Sequence, residues 1–533
     1  MLSKIVITNY RAFERFELEF TPGLNILVGH NDAGKTTILE AVHLALTSRI
    51  RGRLLGSELT PYMVNQKAAT AYLEALGRGE RPTPPEIVID LYLEERPETV
   101  VLRGQNNSTF ENSPGLRLKA SFSSDYAEEY ERFVAGNEEI RLVPTEYYKT
   151  EWLSFAGNAV TTRGVPTSAS LVDAATIRLQ SGADHYIQQI ITNQLEVAER
   201  VELARSYRSL RESFSGRDAI ASINVRLSES QHALSDRTLS LSIDVSQRSS
   251  WESNLVPHLD ELPLQFVGHG AQNALKMLLA LNRNVEACHA VLVEEPENHQ
   301  SPASLSALVN KIEERCAGKQ VVMTTHSSFV LNKLGLDKLV LVRPPNTVRL
   351  ANLPADTLDY FKKLSGYDTL RLVLAERVIL VEGPSDELIV QRAFKNAHGK
   401  LPLEAGVDVI NVRGLSFRRF LDIAAPLGTR VDIVTDNDGK DPEQVRARYT
   451  DHISGGNSSI TVHVGSAEGG RTLEPQFVAA NDLAVLNMLF GTSHASTDDV
   501  SKYMSDNKTG WALKVLETTE GFTVPDYIAD AVA

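Results

Sequence analysis

The hydrophobic positions near the start of the chain fall into two registers. KIVITNY (4–10) and RFELEF (15–20) alternate apolar and polar side chains, which predicts two strands joined by a turn. NILVG (25–29) is a short continuous apolar run of the kind found in a buried strand, and KTTILEAVHLAL (35–46) repeats its apolar residues at helical spacing. Strand-like pieces continue through 86–102 and 115–148. From about 170 to 255 the chain becomes polar, rich in arginine and glutamate and helical in spacing, which predicts a helical hairpin or an interaction arm. Apolar strands return at 290–295, 320–326 and 338–343. A second cycle of strands and helices begins near 376, with strands at ERVILVEG, VDVINVRG, RVDIVTDND and SITVHVG. Strands alternating with helices predict an α/β protein built on parallel sheets with crossover connections.

Composition narrows the class. At 533 residues, with 42% hydrophobic and 23% charged side chains, the chain predicts several packed domains. No apolar run reaches the roughly 18–20 residues that cross a bilayer, and the alternating N-terminus is unlike a signal peptide, so a cytoplasmic protein is expected. Cys288 and Cys316 make neither a disulfide framework nor a zinc site. The net charge of −14 gives no general attraction to a polyanion, so nucleic-acid binding would need a local basic surface or bound cations.

Gly29-His30-Asn31-Asp32-Ala33-Gly34-Lys35-Thr36 matches G-x-x-x-x-G-K-[ST], between a predicted strand and a predicted helix. In such a loop the backbone N–H groups of Gly29, Asn31 and Gly34, with the helix N-terminus at Thr36 and Thr37, cradle phosphate oxygens. Lys35 reaches the β- and γ-phosphates, and the Thr36 hydroxyl meets Mg²⁺. About 260 residues later, AVLVEE ends in Glu294 and Glu295: one carboxylate for the Mg²⁺ shell, the next to polarise an attacking water. QVVMTTH delivers His326 to a strand end, where it can sense the γ-phosphate. Gly268-His269-Gly270-Ala271-Gln272 opens a helical run about twenty residues before Glu294.

The order Walker A, long insertion, signature helix, Walker B and switch histidine resembles an ABC-type ATPase head. The resemblance implies a dimer in which the signature segment of one head, with Gly270 and Gln272, caps the ATP of the other. The segment departs from the pattern in lacking a serine before its glycines and in carrying His269 between them, and Glu294 stands where aspartate is commoner.

The second α/β cycle carries acids where strands end: Glu382, Asp386 four residues on, Asp436 and Asp438 around Asn437, and Glu474 after the last strand. Ligands bind at the carboxyl ends of strands in open α/β sheets. Crowded carboxylates call for neutralising cations, and hard oxygen donors suit Mg²⁺ or Mn²⁺. Taken alone, Asp436-Asn437-Asp438-Gly439 is also a good turn, and Asp386 also suits a helix N-terminus.

A Glu after the first strand and Asp-x-Asp after a later one resemble the Toprim domain. An ABC head, a helical insertion and a C-terminal Toprim domain together resemble the OLD (overcoming lysogenization defect) family of ATP-dependent nucleases, which includes the nuclease subunit of the Gabija anti-phage system. The resemblance implies four units: 1–168 and 257–370 forming the ATPase head, 169–256 a helical dimerisation insertion, and 371–533 a Toprim nuclease domain. It implies that Glu382, Asp386, Asp436, Asp438 and Glu474 hold metal, with Glu387 a weaker candidate. It also implies a late lysine on the transition-state phosphate, best matched by Lys508, with Lys502 and Lys514 as alternatives. ATP, Mg²⁺ or Mn²⁺, DNA and a homodimer or higher oligomer are the expected cofactors and partners, and a helicase partner stays open. Arg413, Arg418 and Arg419 are candidates for a DNA groove, with surface arginines of an amphipathic helix as the competing reading. Arg205, Arg208 and Arg211 read as solvated or dimer-facing. The competing function is a structural-maintenance-type DNA repair ATPase whose Toprim domain only binds.

Overall fold

Alternation at the N-terminus produces an antiparallel pair, β1 (Leu2–Tyr10) and β2 (Phe13–Glu19), in which Ile5 faces Leu18 and Ile7 faces Phe16. The computed structural model describes all residues except 51, 137–139, 174–194, 216, 230–240, 242–250, 252–257, 285–287, 351–352, 364–368, 415 and 454–458. The helical reading of 170–255 therefore lies partly outside the described residues. β3 (Leu24–Val28) runs into a glycine loop and α1 (Lys35–Thr47). β4 (Ile87–Leu93), β5 (Ser113–Phe122) and β6 (Tyr148–Ser154) extend the first sheet in the order β2-β1-β4-β5-β6. One correction falls here. Ala127–Ala135, inside the stretch read as strand-like, is a helix, because AEEYERFVA places its apolar residues three and four apart.

The segment read as helical from 170 opens with a strand, β7 (Ala169–Asp173), before α2 (Val197–Ser215) and α3 (Asp218–Glu229). Then come α4 (His269–Asn284), β8 (Ala290–Glu294), α5 (Pro302–Arg315), β9 (Gln320–Thr324), α6 (Ser328–Leu334), β10 (Leu339–Arg343) and β11 (Asn346–Arg349). The second sheet has the order β7-β8-β9-β3-β10-β11, parallel except for the β10–β11 hairpin. Strands from opposite ends of the head are thus neighbours. β3 carries the glycine loop between β9 and β10, one strand away from the β8 acids.

After α7 (Thr369–Leu374) the second domain alternates β12 (Arg377–Val381), α8 (Pro384–His398), β13 (Val407–Asn411), α9 (Phe417–Leu427), β14 (Arg430–Thr435) and β15 (Ile460–Val464). Its sheet is wholly parallel in the order β13-β12-β14-β15. The helices α10 (Leu473–Ala479), α11 (Lys508–Glu517) and α12 (Asp526–Val532) complete it.

Among the described residues, three large buried clusters and one small one hold the molecule. One packs α1 between the antiparallel sheet and one face of the parallel sheet, through Ile38, Val42, Leu91 and Leu292. A second runs without interruption from the other face of that sheet (Val291, Met323, Leu341) into the second domain (Val378, Leu380, Phe420). The third lies under α8 and the C-terminal helices, around Ile389, Phe477 and Trp511. The shared second cluster joins the head and the second domain through one core. Among the described residues no helix is long and apolar enough to cross a membrane.

Candidate functional site

The glycine loop is built by close approach. Gly34 sits at φ 87° as the residue before α1, and a Cβ there would come within 2.4 Å of the Phe13 ring. Only glycine fits both the left-handed backbone and the space. Lys35 is 6% exposed and its Nζ donates to the carbonyls of Gly29 (3.0 Å) and His30 (2.9 Å). Burial lowers its pKa, while the charges of Glu295, Asp32 and Glu297 oppose that. The Thr36 hydroxyl donates to Glu294 at 2.5 Å, across 258 residues of sequence. Asn31 is exposed and Thr37 is buried at the start of α1.

Beside this pair, Glu295 takes a positive φ of 38° at the end of β8, its N–H donating to the Thr324 carbonyl (3.1 Å). Its carboxylate stands 3.4 Å from His326 Nε2 and accepts from Asn298 at 2.8 Å. Burial, then the Lys35 charge, lowers the His326 pKa. Glu297, which the sequence reading passed over, ties these strand ends together. It accepts from the Thr325 hydroxyl (2.9 Å) and the His326 N–H (2.5 Å), and its other oxygen is buried without a partner. Burial raises its pKa. The signature segment begins α4 as expected. A Cβ at Gly270 would meet the His299 carbonyl at 2.4 Å, and the buried Gln272 amide donates to the Val267 carbonyl (2.6 Å). Gln272 is thus held within its own head.

In the second domain the strand ends deliver the acids as expected. Pro384 opens α8 with its fixed φ, and Asp386 Oδ2 accepts the Gly383 N–H at 3.1 Å, so this acid also caps its helix. Glu382, at the end of β12, accepts from the Asp436 N–H (3.2 Å) and from the Thr435 hydroxyl, binding the two strand ends to each other. Burial, reinforced by Glu382 and Glu474, pushes Asp386 up to about 7. Burial, reinforced by Asp386, Glu382 and Glu474, pushes Asp436 up to about 8. Glu474, on the first turn of α10, accepts from Thr472 (2.9 Å). These four carboxylates therefore share one neighbourhood. Asp438 flanks them, exposed and at φ 52°.

The loop between Asp436 and Asp438 hangs on Asn437, 1% exposed, which the sequence offered only as a turn residue. Its Nδ2 donates to the carbonyls of Gly465, Ser466 and Gly470, and its Oδ1 accepts from Gly439. Gly439 in turn carries the Arg471 side chain, whose Nε would lie 3.0 Å from a Cβ there. Arg471 was not anticipated, and it has no ion pair among the described residues.

Other candidates fall outside this gathering. The Arg418 guanidinium donates to the Arg448 carbonyl, while Arg419 pairs with Asp356 (3.2 Å) and lies over the Tyr360 ring. Arg418 is exposed and Arg419 half-buried. Arg413, at φ 55°, directs its N–H to Asn411, next to Gly414, which donates to the Glu382 carbonyl. Lys508 starts α11 and is exposed, and among the described residues it makes no ion pair or hydrogen bond to the acids. Lys502 is exposed, whereas Lys514 is spent on the Phe490 carbonyl (2.7 Å) and the Tyr503 hydroxyl. Glu387 accepts from Gln391 (3.5 Å). Arg205 is exposed, Arg208 pairs with Glu212 along α2, and Arg211 covers the Tyr207 ring.

Among the described residues no three histidine, cysteine, aspartate or glutamate side chains are placed to chelate one ion. Yet Asp436 Oδ1 is buried with no hydrogen-bond partner, in a neighbourhood of four carboxylates. An orphaned anionic oxygen among hard oxygen donors, two of them forced towards protonation, fits a divalent cation.

Comparison with known proteins agrees with this division. The AAA domain family matches residues 4–74, and the family described as overcoming lysogenization defect protein-like, TOPRIM domain, matches 373–438. This chain joins an AAA-type ATPase domain to an OLD-like TOPRIM domain. It is similar to the endonuclease GajA of Bacillus cereus, with 21% identity over 475 residues covering 84% of this chain and 76% of GajA. It is also similar to the DNA double-strand break repair Rad50 ATPase of Methanopyrus kandleri, with 51% identity over 49 residues, which is 9% of this chain and only 6% of that protein. Among solved structures, the C-terminal region of the Burkholderia pseudomallei OLD protein aligns over 30% of this chain and 96% of its own, at 18% identity and a TM-score of 0.25.

Proposed function

We propose that this protein is an ATP-binding and ATP-hydrolysing, divalent-metal-dependent DNA endonuclease that acts as a homodimer or larger assembly, in anti-phage defence or DNA processing. The observation that carries the reading is the gathering of Glu382, Asp386, Asp436 and Glu474 at neighbouring strand ends, where burial and then the neighbouring charges raise Asp386 and Asp436. The similarity to GajA over most of both chains supports it.

In this reading Glu382, Asp386, Asp436, Asp438 and Glu474 hold Mg²⁺ or Mn²⁺. Divalent metal held there would supply Lewis acidity to phosphodiester hydrolysis. The chain's own part is placement. Thr435 and the Asp436 N–H fix Glu382, and Asn437 fixes the loop that presents Asp436 and Asp438. Arg471 supplies positive charge beside the acids for a DNA phosphate, easing the objection raised by a net charge of −14. Lys508 remains the proposed late lysine.

In the head, Gly29, Asn31, Gly34, Lys35, Thr36 and Thr37 cradle ATP phosphates, and Thr36 with Glu294 holds its Mg²⁺. Glu295 polarises the attacking water, and His326 beside it senses the γ-phosphate. Val201, Leu210 and Phe214 are exposed on α2, which supports a second copy of the chain as the partner of this arm.

One observation favours the alternative, a structural-maintenance-type repair ATPase with a binding-only Toprim domain: among the described residues no three candidate ligands are placed to chelate one ion. Incubating plasmid and linear DNA with graded Mg²⁺ or Mn²⁺, with and without ATP, decides between them. Metal-dependent nicking or cutting supports the nuclease, and intact DNA at every metal concentration supports the alternative.

A further inference from the structure

The strand ends that frame the phosphate loop are held in two different ways. β8 and β9 pair with Glu294 opposite Thr324, and the Glu295 N–H still donates to the Thr324 carbonyl (3.1 Å) and hydroxyl (3.2 Å). The Thr325 N–H still reaches the Leu27 carbonyl of β3 (3.3 Å). One residue on, backbone gives way to a side chain. The His326 N–H (2.5 Å) and the hydroxyl of the fully buried Thr325 (2.9 Å) both donate to Glu297 Oε1.

That one oxygen anchors the turn that carries the switch histidine. The Thr325 hydroxyl accepts the Ser327 N–H (3.0 Å), and the Ser327 hydroxyl caps α6 by accepting the Val330 N–H (3.4 Å). Backbone pairing therefore fixes Glu295, while Glu297 fixes the turn that sets the His326 ring 3.4 Å from the Glu295 carboxylate. Glu297 Oε2 is sealed from water without a partner, an unfavourable state that a residue selected for packing alone would avoid.

We propose that Glu297 is a positioning residue for ATP hydrolysis, holding the turn 325–327 so that the His326 imidazole stays beside Glu295, where the γ-phosphate is sensed. The inference rests on the reading of the head as an ATPase and adds a residue outside the phosphate loop, the β8 acids and the switch histidine.

Glu297→Ala removes the acceptor, and Glu297→Gln keeps it as an amide carbonyl. In the full-length protein, Glu297→Ala should lower kcat for ATP hydrolysis by about 10²-fold, the loss typical of a misplaced catalytic group. ADP affinity should stay native, because the phosphate loop is untouched. The preference of the native protein for a non-hydrolysable ATP analogue over ADP should disappear. Glu297→Gln should restore most of kcat and of that preference. Native kcat in Glu297→Ala overturns the proposal, as does a loss of ADP affinity as large as the loss of kcat. A Glu297→Gln as damaged as Glu297→Ala overturns it too, since charge and not the two hydrogen bonds would then matter. If Glu297→Ala does not fold, Thr325→Val decides: reduced kcat at native ADP affinity supports the proposal, and native kcat overturns it. A native protein that hydrolyses no ATP defeats the ATPase reading, while the ratio of the two nucleotide affinities still decides the role of Glu297. A native ratio of one leaves His326 nothing to sense and overturns the proposal.

Discussion

The Leu370 N–H donates to the Ser328 hydroxyl at 3.2 Å, joining the helix that follows His326 to the helix that leads into the Toprim sheet. One residue away, the Thr369 hydroxyl meets Asn332 at 2.6 Å in full burial. Arg371 of the same helix pairs with Asp408 of β13. These contacts run from the helix after His326 to β13, which neighbours the strand that ends at Glu382.

If nucleotide state controls cutting through this seam, Ser328→Ala should uncouple the two activities. The ratio of cleavage rates with and without ATP should move towards one, while ATPase activity stays near native. Measuring both rates on the same preparation checks this, and an unchanged ratio would place the coupling elsewhere.

The head makes its own prediction. Lys35→Ala should abolish nucleotide binding, since the loop carbonyls of Gly29 and His30 lose their cation. Glu295→Gln should keep nucleotide binding but slow hydrolysis by about 10²-fold or more, the loss typical of a missing general base. Fluorescent-nucleotide binding beside phosphate release separates the two.

Acidity at the Toprim site gives a signed pH dependence. Asp386 and Asp436 are raised to about 7 and about 8 from 3.8, so the metal-free fold holds more protons than the unfolded chain between roughly pH 4 and 8. Their contribution to stability is full below pH 4 and is lost as pH rises through 7 and 8. Tm of the metal-free protein should accordingly fall across that window, and Asp436→Asn should flatten the slope. Divalent metal competes with those protons, so Mn²⁺ affinity should increase from pH 6 to 8 with measurable proton release. A Tm that climbs between pH 6 and 8 without metal, and stays unaltered in Asp436→Asn, would contradict the assignment.

The shared core predicts joint stability. Phe361 is fully buried, edge-on to Phe420 at 5.5 Å, in the cluster that spans both domains. Phe361→Ala should cost about 3–5 kcal/mol. Calorimetry should show head and Toprim transitions shifting downward together; a shift confined to one of them would mean the domains are energetically separate.

Much of this was legible in the sequence because each signal was local. The glycine loop declared itself through residue types that only a phosphate cradle needs in that order. The acids stood at the ends of apolar runs that could be read as parallel strands. Residues that act through tertiary contact gave no such sign. Glu297 looks like one more polar residue after Glu295 until the fold lays it against the His326 N–H. Asn437 reads as a turn until three carbonyls converge on it. The strand Ala169–Asp173 escaped notice because its five residues gain their place from β8 and not from any pattern of their own. The contacts of Arg418 and Arg419 with the Arg448 carbonyl, Asp356 and the Tyr360 ring likewise come from tertiary structure, which their basic charge did not announce.

The most direct test compares native protein with Asp436→Ala, measuring plasmid nicking in Mn²⁺ and ATP hydrolysis side by side. The account predicts that the variant loses nicking entirely and hydrolyses ATP at the native rate. Nicking by Asp436→Ala at the native rate would contradict it.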